Sequence, residues 1–514
     1  MKYYYFDLVL LLGFLVTLLY VIQKELRTDK KAVLYIALCA VLTIIFKYNW
    51  GIPFWGLEYE DAYAFSLCAR QFSYNIYPSS FLVDVVTIGS LQEPIAMGTH
   101  GGHFITYPTF LSIFSQLFGW SFELLCIVNC IVSFLIMLIL SLMFKSSNNW
   151  FIAPVMYCCA PIINVFTTCM LSETFSSFVC LTFIFALKKK DTNSTLLLRF
   201  TAFFAALLCK RENLILCLIP VLDALLMLNR NNILKGIKLA VYSLIPYITI
   251  ILIYFFSIQN VLEIEKIEAT DIGMPTFSIS YFVRLFPIFV KSILSPFAFS
   301  ISILVCMFIL SWHLYKKRNI SKQILYPIIL FGAYLILYSS HYRGWFFIQG
   351  DKVNEFETYR YINNFYYLFI VSIGGICYFH SKKVISLLLL LLSFSFYETK
   401  EARKYYSEIE QECRFCEVNE VLNFIKKDYF KTSTMLICDN ILLYQNICSD
   451  NFRVCDSRYI NILKKNDKYK YLFVASDLNY LHKRYGVNLD MSKLKRKHVL
   501  GNGNIIYQIA TRNK

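Results

Sequence analysis

The sequence predicts a polytopic α-helical membrane protein. It has about twelve transmembrane helices, a large first external loop carrying interfacial helices, and a small C-terminal external α/β domain. Three observations predict this class. Of 514 residues, 57% are hydrophobic and only 16% charged, with mean hydropathy +0.52, whereas a soluble domain carries about 25% charge. The apolar residues gather into runs that cross, or nearly cross, a hydrocarbon core about 30 Å thick. Near residue 398 the composition changes: charge rises and the long apolar runs stop.

The runs fall at 3–22, 32–46, 122–144, 150–167, 171–187, 194–209, 213–229, 239–257, 296–315, 323–340, 361–379 and 384–397. No small-residue cleavage pattern follows the first, so it is read as a retained span. The 37 Tyr and 46 Phe suit aromatic belts at both interfaces. Charge sets the orientation. The short loops 23–31, 145–149, 188–193, 230–238, 316–322 and 380–383 are dense in Lys and Arg, as in Lys188-Lys189-Lys190 and Lys316-Lys317-Arg318. The opposite loops, 47–121, 258–295 and 341–360, are longer and poorer in them. The positive-inside rule puts the first set in the cytoplasm, and the long loops and both termini outside. In a bacterial cell this is the periplasmic face of the inner membrane. The net charge of +16 therefore reads as a topology signal, with the lipid bilayer as partner and no nucleic acid.

Two domains follow: 1–397, the transmembrane domain with external loop 47–121, and 398–514, an external α/β domain. In the second, 400–427, SRYINILKK (457–465) and DLNYLHKRYG (477–486) read as helices. TMLICD (434–439), YKYLFVAS (469–476) and NIIYQIAT (504–511) read as strands. Most of the 17 Cys lie in apolar runs, where Cys acts as a small hydrophobe. Five lie in the C-terminal domain: Cys413, Cys416, Cys438, Cys448 and Cys455. Cys413 and Cys416 form a C-x-x-C without a second pair at matching spacing, which is a weak zinc signal.

The loop 47–121 exceeds what a connection needs, and long loops are usually functional. It opens on Glu60-Asp61. Ala62, Phe65, Ala69 and Phe72 then recur at helical spacing, predicting a helix on the outer membrane surface with the acidic pair at its N-terminus. A second such helix is predicted over 278–292. Acidic residues favour a helix N-terminus for its dipole alone, but the motifs that follow favour a general base at the membrane boundary. GTHGGHFITYP (98–108) supplies His100, His103 and Tyr107 around glycines that allow close backbone approach. Two histidines three residues apart suit a shared metal, but no third ligand is near. No metal or other cofactor is assigned.

Lys210-Arg211-Glu212 sits on the outer side between two spans, against the positive-inside trend. Such cations suit a lipid-linked phosphate or diphosphate. The loop 341–361 adds Arg343 and Arg360, the latter followed by Tyr361 at the start of the next span. Ser172-Glu173-Thr174 begins another span on the same side. Glu173 reads either as a helix cap or as a group facing the same cavity.

Together these residues resemble the membrane-embedded GT-C glycosyltransferases, which include protein O-mannosyltransferases and the aminoarabinose transferase of lipid A. EDAY resembles their acidic motif in the first external loop, with Asp61 matching the catalytic carboxylate. Here the order is Glu then Asp, so the assignment between Glu60 and Asp61 stays open. GGHFITYP resembles the segment that follows, Lys210-Arg211-Glu212 the basic patch, and Arg360-Tyr361 the late outer helix start. The resemblance implies an inverting transfer from a polyprenyl-phosphate-linked sugar to a glycan, lipopolysaccharide or protein acceptor. Asp61 or Glu60 would act as base. Lys210, Arg211, Arg360 and Arg343 would hold the donor phosphate. His100, His103, Tyr107, Glu173 and Tyr361 would contact substrate. A transporter or flippase of lipid-linked sugars would also need outer basic residues, but not a large acidic outer loop or an external α/β domain. A polysaccharide polymerase would place its large loop late in the chain.

Overall fold

A computed structural model describes residues 2–48, 65, 69, 84–87, 94–97, 106–167, 171–228, 233–271, 277–294, 322–341, 348–349, 352–353, 355–379, 400, 420–421, 423–425, 433–438, 452–456, 469–475, 494–500 and 505–509. Helices dominate the first three-quarters of the chain. They are α1 (Lys2–Arg27), α2 (Ala32–Leu42), α3 (Thr106–Phe118), α4 (Phe122–Met143), α5 (Ile152–Cys159), α6 (Pro161–Thr167), α7 (Ser172–Lys188), α8 (Asn193–Cys209), α9 (Leu218–Leu228), α10 (Ile233–Asp271), α11 (Ile279–Leu294), α12 (Lys322–Ser340) and α13 (Glu355–Phe379).

Local chemistry sets most of the boundaries. A π-helical turn, Thr43–Tyr48, extends α2. Gly119, at φ 84°, ends α3 in the left-handed conformation that glycine adopts freely, and its N–H reaches Ser115 O at 3.0 Å. Ser121 then caps α4, accepting from Leu124 N at 3.1 Å. A reciprocal Thr192–Thr195 capping box starts α8. The expected single span 150–167 is two helices. Ala160 is extended (φ −79°, ψ 113°) because the Pro161 ring disfavours a helical residue before it. The run 213–229 begins as a 3-10 segment, Arg211–Cys217, before α9.

Three described helices have the length and composition to cross a bilayer: Phe6–Arg27, Glu123–Met143 and Gly236–Phe256. Ala32–Lys47, Asn193–Cys209 and Ile324–Ser340 are shorter apolar helices. Two further predicted runs, 296–315 and 384–397, lie outside the described residues. α10 shows why lipid is its solvent. Its 39 residues span about 58 Å, and Ile237, Val241, Ile245, Ile248, Leu252 and Phe256 are all exposed along it. An apolar surface of that extent is not left to water. The predicted 278–292 helix is α11, whose Tyr281, Leu285, Phe289 and Ile293 are buried at a four-residue spacing. Helix α3 lies inside the predicted loop 47–121 and buries Thr106–Ser112, so the end of that loop is part of the core.

Two ends of the bundle are tied by charge. At one, Glu25 accepts from Lys145 Nζ at 2.7 Å and Lys189 Nζ at 2.8 Å, joining α1, the end of α4 and the end of α7. Three of the Lys/Arg-rich loops therefore meet. Lys188 lies beside them, its Nζ over the Phe144 ring at 4.5 Å and without a hydrogen-bond acceptor. Burial, and then the charge of Lys189, push its pKa down to about 8 from 10.5. The unfolded chain binds that proton more tightly, so stability should rise with pH between about 8 and 10.5. Thermal unfolding in detergent across that window checks it, and Lys188→Met should flatten the rise.

Asn213 joins three helices through the core. Its Nδ2 donates to Ser176 Oγ at 2.9 Å and Ala206 O at 2.8 Å, and its Oδ1 accepts from Tyr334 OH at 2.7 Å. Asn213→Leu should cost about 2–3 kcal/mol, because the buried Tyr334 hydroxyl loses its acceptor. Denaturant unfolding of the solubilised protein measures it.

Nine strands complete the described structure. β1 (Asp84–Thr87) and β2 (Pro94–Met97) form an antiparallel hairpin; β3 (Ile348–Gln349) and β4 (Lys352–Val353) form a short second one. The C-terminal sheet contains β5 (Ser433–Cys438), β6 (Phe452–Asp456), β7 (Tyr469–Ala475), β8 (Leu494–Val499) and β9 (Ile505–Ile509), in the order β6-β5-β7-β9-β8. β5 is parallel to β6 and β7, and β9 antiparallel to β7 and β8. Strands β5, β7 and β9 match the predicted ones. The helix predicted over 400–427 is helical at each of its described positions, Lys400, Glu420, Val421 and 423–425. The predicted helices 457–465 and 477–486 lie outside the described residues. β6 and β8 were not predicted. Both are edge strands, where charge such as Lys495-Arg496-Lys497 breaks the apolar pattern and blunts edge pairing. The β1–β2 hairpin of the first long loop packs against β6.

Candidate functional site

The far end of the bundle is built around Glu173. Leu171 is the N-cap of α7 and makes no side-chain cap bond, so Glu173 sits in the first turn without capping it. Its side chain instead reaches across two neighbours. Lys210, the C-cap of α8, leaves the helix in extended backbone (φ −152°, ψ 132°). Its Nζ donates to Glu173 Oε1 at 2.8 Å. Arg360, in the second turn of α13, donates from Nε to the same oxygen, also at 2.8 Å. Glu173 Oε2 accepts no hydrogen bond. The Glu173 side chain is 1% exposed, with Lys210 at 11% and Arg360 at 9%.

The shared oxygen fixes the spacing. The two cationic nitrogens lie no farther apart than twice 2.8 Å. At that separation two unit charges repel by about 3 kcal/mol at an effective dielectric of 20. One carboxylate between them offsets the repulsion and leaves the group with net charge +1. Burial works against the Lys210 ammonium, but the carboxylates of Glu173 and then Glu212 outweigh it and raise its pKa above the ordinary lysine value. What the charged form contributes to stability is complete below that ordinary value, and is lost only as pH rises through the raised one.

Tyr361 extends the site, with Lys210 Nζ 5.8 Å from its ring centroid. Its ring meets Tyr338 at 4.8 Å, and Tyr338 OH accepts from Asn364 Nδ2 at 2.9 Å. One turn below Glu173, Ser177 Oγ faces the carbonyls of Asn363 at 3.3 Å and Asn364 at 3.1 Å. The interface of α7 with α13 is thus pinned at two levels.

Aromatic contacts connect the first loop to this group. Phe65 and Ala69 are helical and buried, as their spacing predicted. The Phe65 ring meets Tyr107 edge-on at 5.4 Å, and Tyr107 meets Phe175, two residues beyond Glu173, at 5.7 Å. The buried Tyr107 hydroxyl donates to Asn129 Oδ1 at 3.0 Å. Asp7, absent from the sequence reading, is buried in α1 and takes Thr106 Oγ1 at 3.3 Å, while that hydroxyl also contacts Leu208 O at 2.8 Å. Its one sequence signal is a carboxylate within an apolar run.

Lys210, Glu173, Arg360 and Tyr361 are therefore brought together. Arg211 is partly buried at the start of the 3-10 segment that follows Lys210. Glu60, Asp61, His100, His103 and Arg343 lie outside the described residues. Among the described residues no group of three or more His, Cys, Asp or Glu side chains is arranged to hold a metal ion. Cys438 is buried in β5.

Comparison with solved structures decides the fold. ArnT from Cupriavidus metallidurans, in a crystal structure bound to undecaprenyl phosphate, superposes with a TM-score of 0.58 at 12% sequence identity, covering 94% of this chain and 99% of that one. The chain has the ArnT fold. The apo crystal structure of ArnT agrees, with a TM-score of 0.58 at 12% identity over 93% and 97% of the two chains. No protein-family model and no curated protein sequence matches the chain. The GT-C resemblance read from short motifs is thus shown at the level of fold, along nearly the whole chain. With its exposed apolar helices, the ArnT-like architecture is that of an integral membrane protein.

Proposed function

We propose that this protein is an integral-membrane glycosyltransferase. It moves a sugar from a polyprenyl-phosphate-linked donor to an acceptor on the outer face of the membrane, with inversion at the anomeric carbon. The observation that carries the reading is the convergence of Lys210 and Arg360, from distant parts of the sequence, on one buried point beside Tyr361. A buried pair of cations with net positive charge suits a phosphate that arrives as a diester monoanion and leaves as a polyprenyl monoester dianion. ArnT, of the same fold, was crystallised with undecaprenyl phosphate.

Each step follows from the residues. Lys210 and Arg360, assisted by Arg211 and Arg343, stabilise the charge that develops on the departing phosphate. Asp61, or Glu60 beside it, takes the proton from the acceptor hydroxyl. The acceptor oxygen bonds to the anomeric carbon as the carbon–oxygen bond to phosphate breaks, and phosphate keeps the electron pair. His100, His103 and Tyr361 are assigned contacts with the substrate. The acceptor is a surface glycan, a lipid or a protein, met on the side where the long loops and the C-terminal α/β domain lie.

The test is a membrane assay with polyprenyl-phosphate-linked sugars as donors and an extract of envelope glycans, lipids and proteins as acceptors. Sugar transfer with release of polyprenyl phosphate is expected. Movement of intact lipid-linked sugar across the bilayer, without release of the phosphate, would replace this reading with that of a flippase.

A further inference from the structure

Glu173 touches both cations through one oxygen, yet the reaction as derived gives it nothing to do. It accepts no proton from the acceptor in that scheme, it caps no helix, and its Oε2 is buried without a partner. A carboxylate at this position has a cost for an anion site, because it repels the phosphate that the cations are there to hold. Its geometry indicates what offsets the cost. One oxygen, Oε1, receives Nζ of Lys210 and Nε of Arg360 at the same 2.8 Å. A phosphate oxygen bridging two cations makes the same kind of paired contact.

We propose that Glu173 is a positioning residue that stands in for a phosphate oxygen between Lys210 and Arg360. It holds Lys210 and Arg360 at phosphate spacing and gives them up when the polyprenyl phosphate arrives. The inference rests on the proposed function, since it concerns the phosphate site of that reaction. Two consequences distinguish it from a structural salt bridge. The carboxylate competes with phosphate, so it weakens binding of the product and speeds its release. It also gathers the cations beforehand, so the phosphate does not have to assemble them. Removing the charge and removing the reach should therefore act in opposite directions.

The experiment uses the full chain in detergent, with undecaprenyl phosphate as the probe, read by direct binding and by steady-state transfer. Glu173→Gln keeps the shape and loses the charge. It should bind undecaprenyl phosphate about fivefold more tightly, with KM and kcat falling together as release slows. Glu173→Asp keeps the charge but is one methylene shorter and cannot reach both cations. It should bind about threefold more weakly. Weakened or unchanged binding in Glu173→Gln overturns the inference, as does tightened or unchanged binding in Glu173→Asp. Should Glu173→Gln fail to fold, the aspartate variant decides alone by the same sign. A wild-type protein that binds no undecaprenyl phosphate removes the proposed function itself, and this inference with it. A wild type that binds, with variants that do not diverge, removes only the inference.

Discussion

Lys210→Met is expected to lower sugar transfer by about two to three orders of magnitude while leaving the helical fold in place. The size follows from removing one of the preorganised charges that meet the departing phosphate. The fold survives because Arg360 still neutralises Glu173 through its 2.8 Å bond. Only one charge-assisted hydrogen bond is lost, about 1.5–3 kcal/mol. The loss should fall on kcat as well as on kcat/KM, since the phosphate gains charge as the bond to sugar breaks. Steady-state kinetics beside a thermal melt separate the two effects. Lys210→Arg restores the charge but not the approach along the Tyr361 face, so partial recovery is the expected result. Full activity in Lys210→Met would remove the phosphate assignment.

Asp61→Asn is expected to reduce transfer by about 10²–10⁴-fold, the range for loss of a general base, with donor binding unchanged. Glu60→Gln, one residue earlier, should cost far less. The carboxylate acts on the acceptor proton and the cations on the phosphate, so the two losses should separate in a binding assay. Lys210→Met weakens undecaprenyl phosphate binding, and Asp61→Asn leaves it as it was. If Glu60→Gln carries the larger loss, the roles within the pair are exchanged. Equal activity of both variants with wild type would leave the reaction without this base.

Legibility in the sequence followed the range of the interactions. Helix positions came through because apolar runs and a 3.6-residue period are local. Most described helices lie within a few residues of the apolar runs, and helical spacing marks the buried Phe65 and Ala69 and the amphipathic α11. Strands β5, β7 and β9 came through for the same reason, since they are apolar and central in the sheet. The edge strands β6 and β8 did not, because edge positions tolerate charge and so lose the pattern. The break between α5 and α6 was signalled by Pro161, but the apolar run around it hid the signal. The packing of the β1–β2 hairpin against β6 joins residues hundreds of positions apart and leaves no local mark.

By itself the sequence determined the class of protein and its candidate groups. Hydropathy marks which segments prefer lipid, and the distribution of Lys and Arg predicts an orientation. The residue types that suit a phosphate, Lys210 and Arg360 among them, can be picked out because cations on the sparsely basic side are unusual. Only the tertiary structure decided that these two share one carboxylate oxygen, and that Glu173 faces them instead of capping its own helix. Only it showed Tyr107 spending its hydroxyl on Asn129, and the ArnT fold at 12% identity. The physical reason is range. Burial preference belongs to each residue and its near neighbours. A buried ion group depends on which distant helices pack together, and many sequences can satisfy that packing without sharing a readable motif.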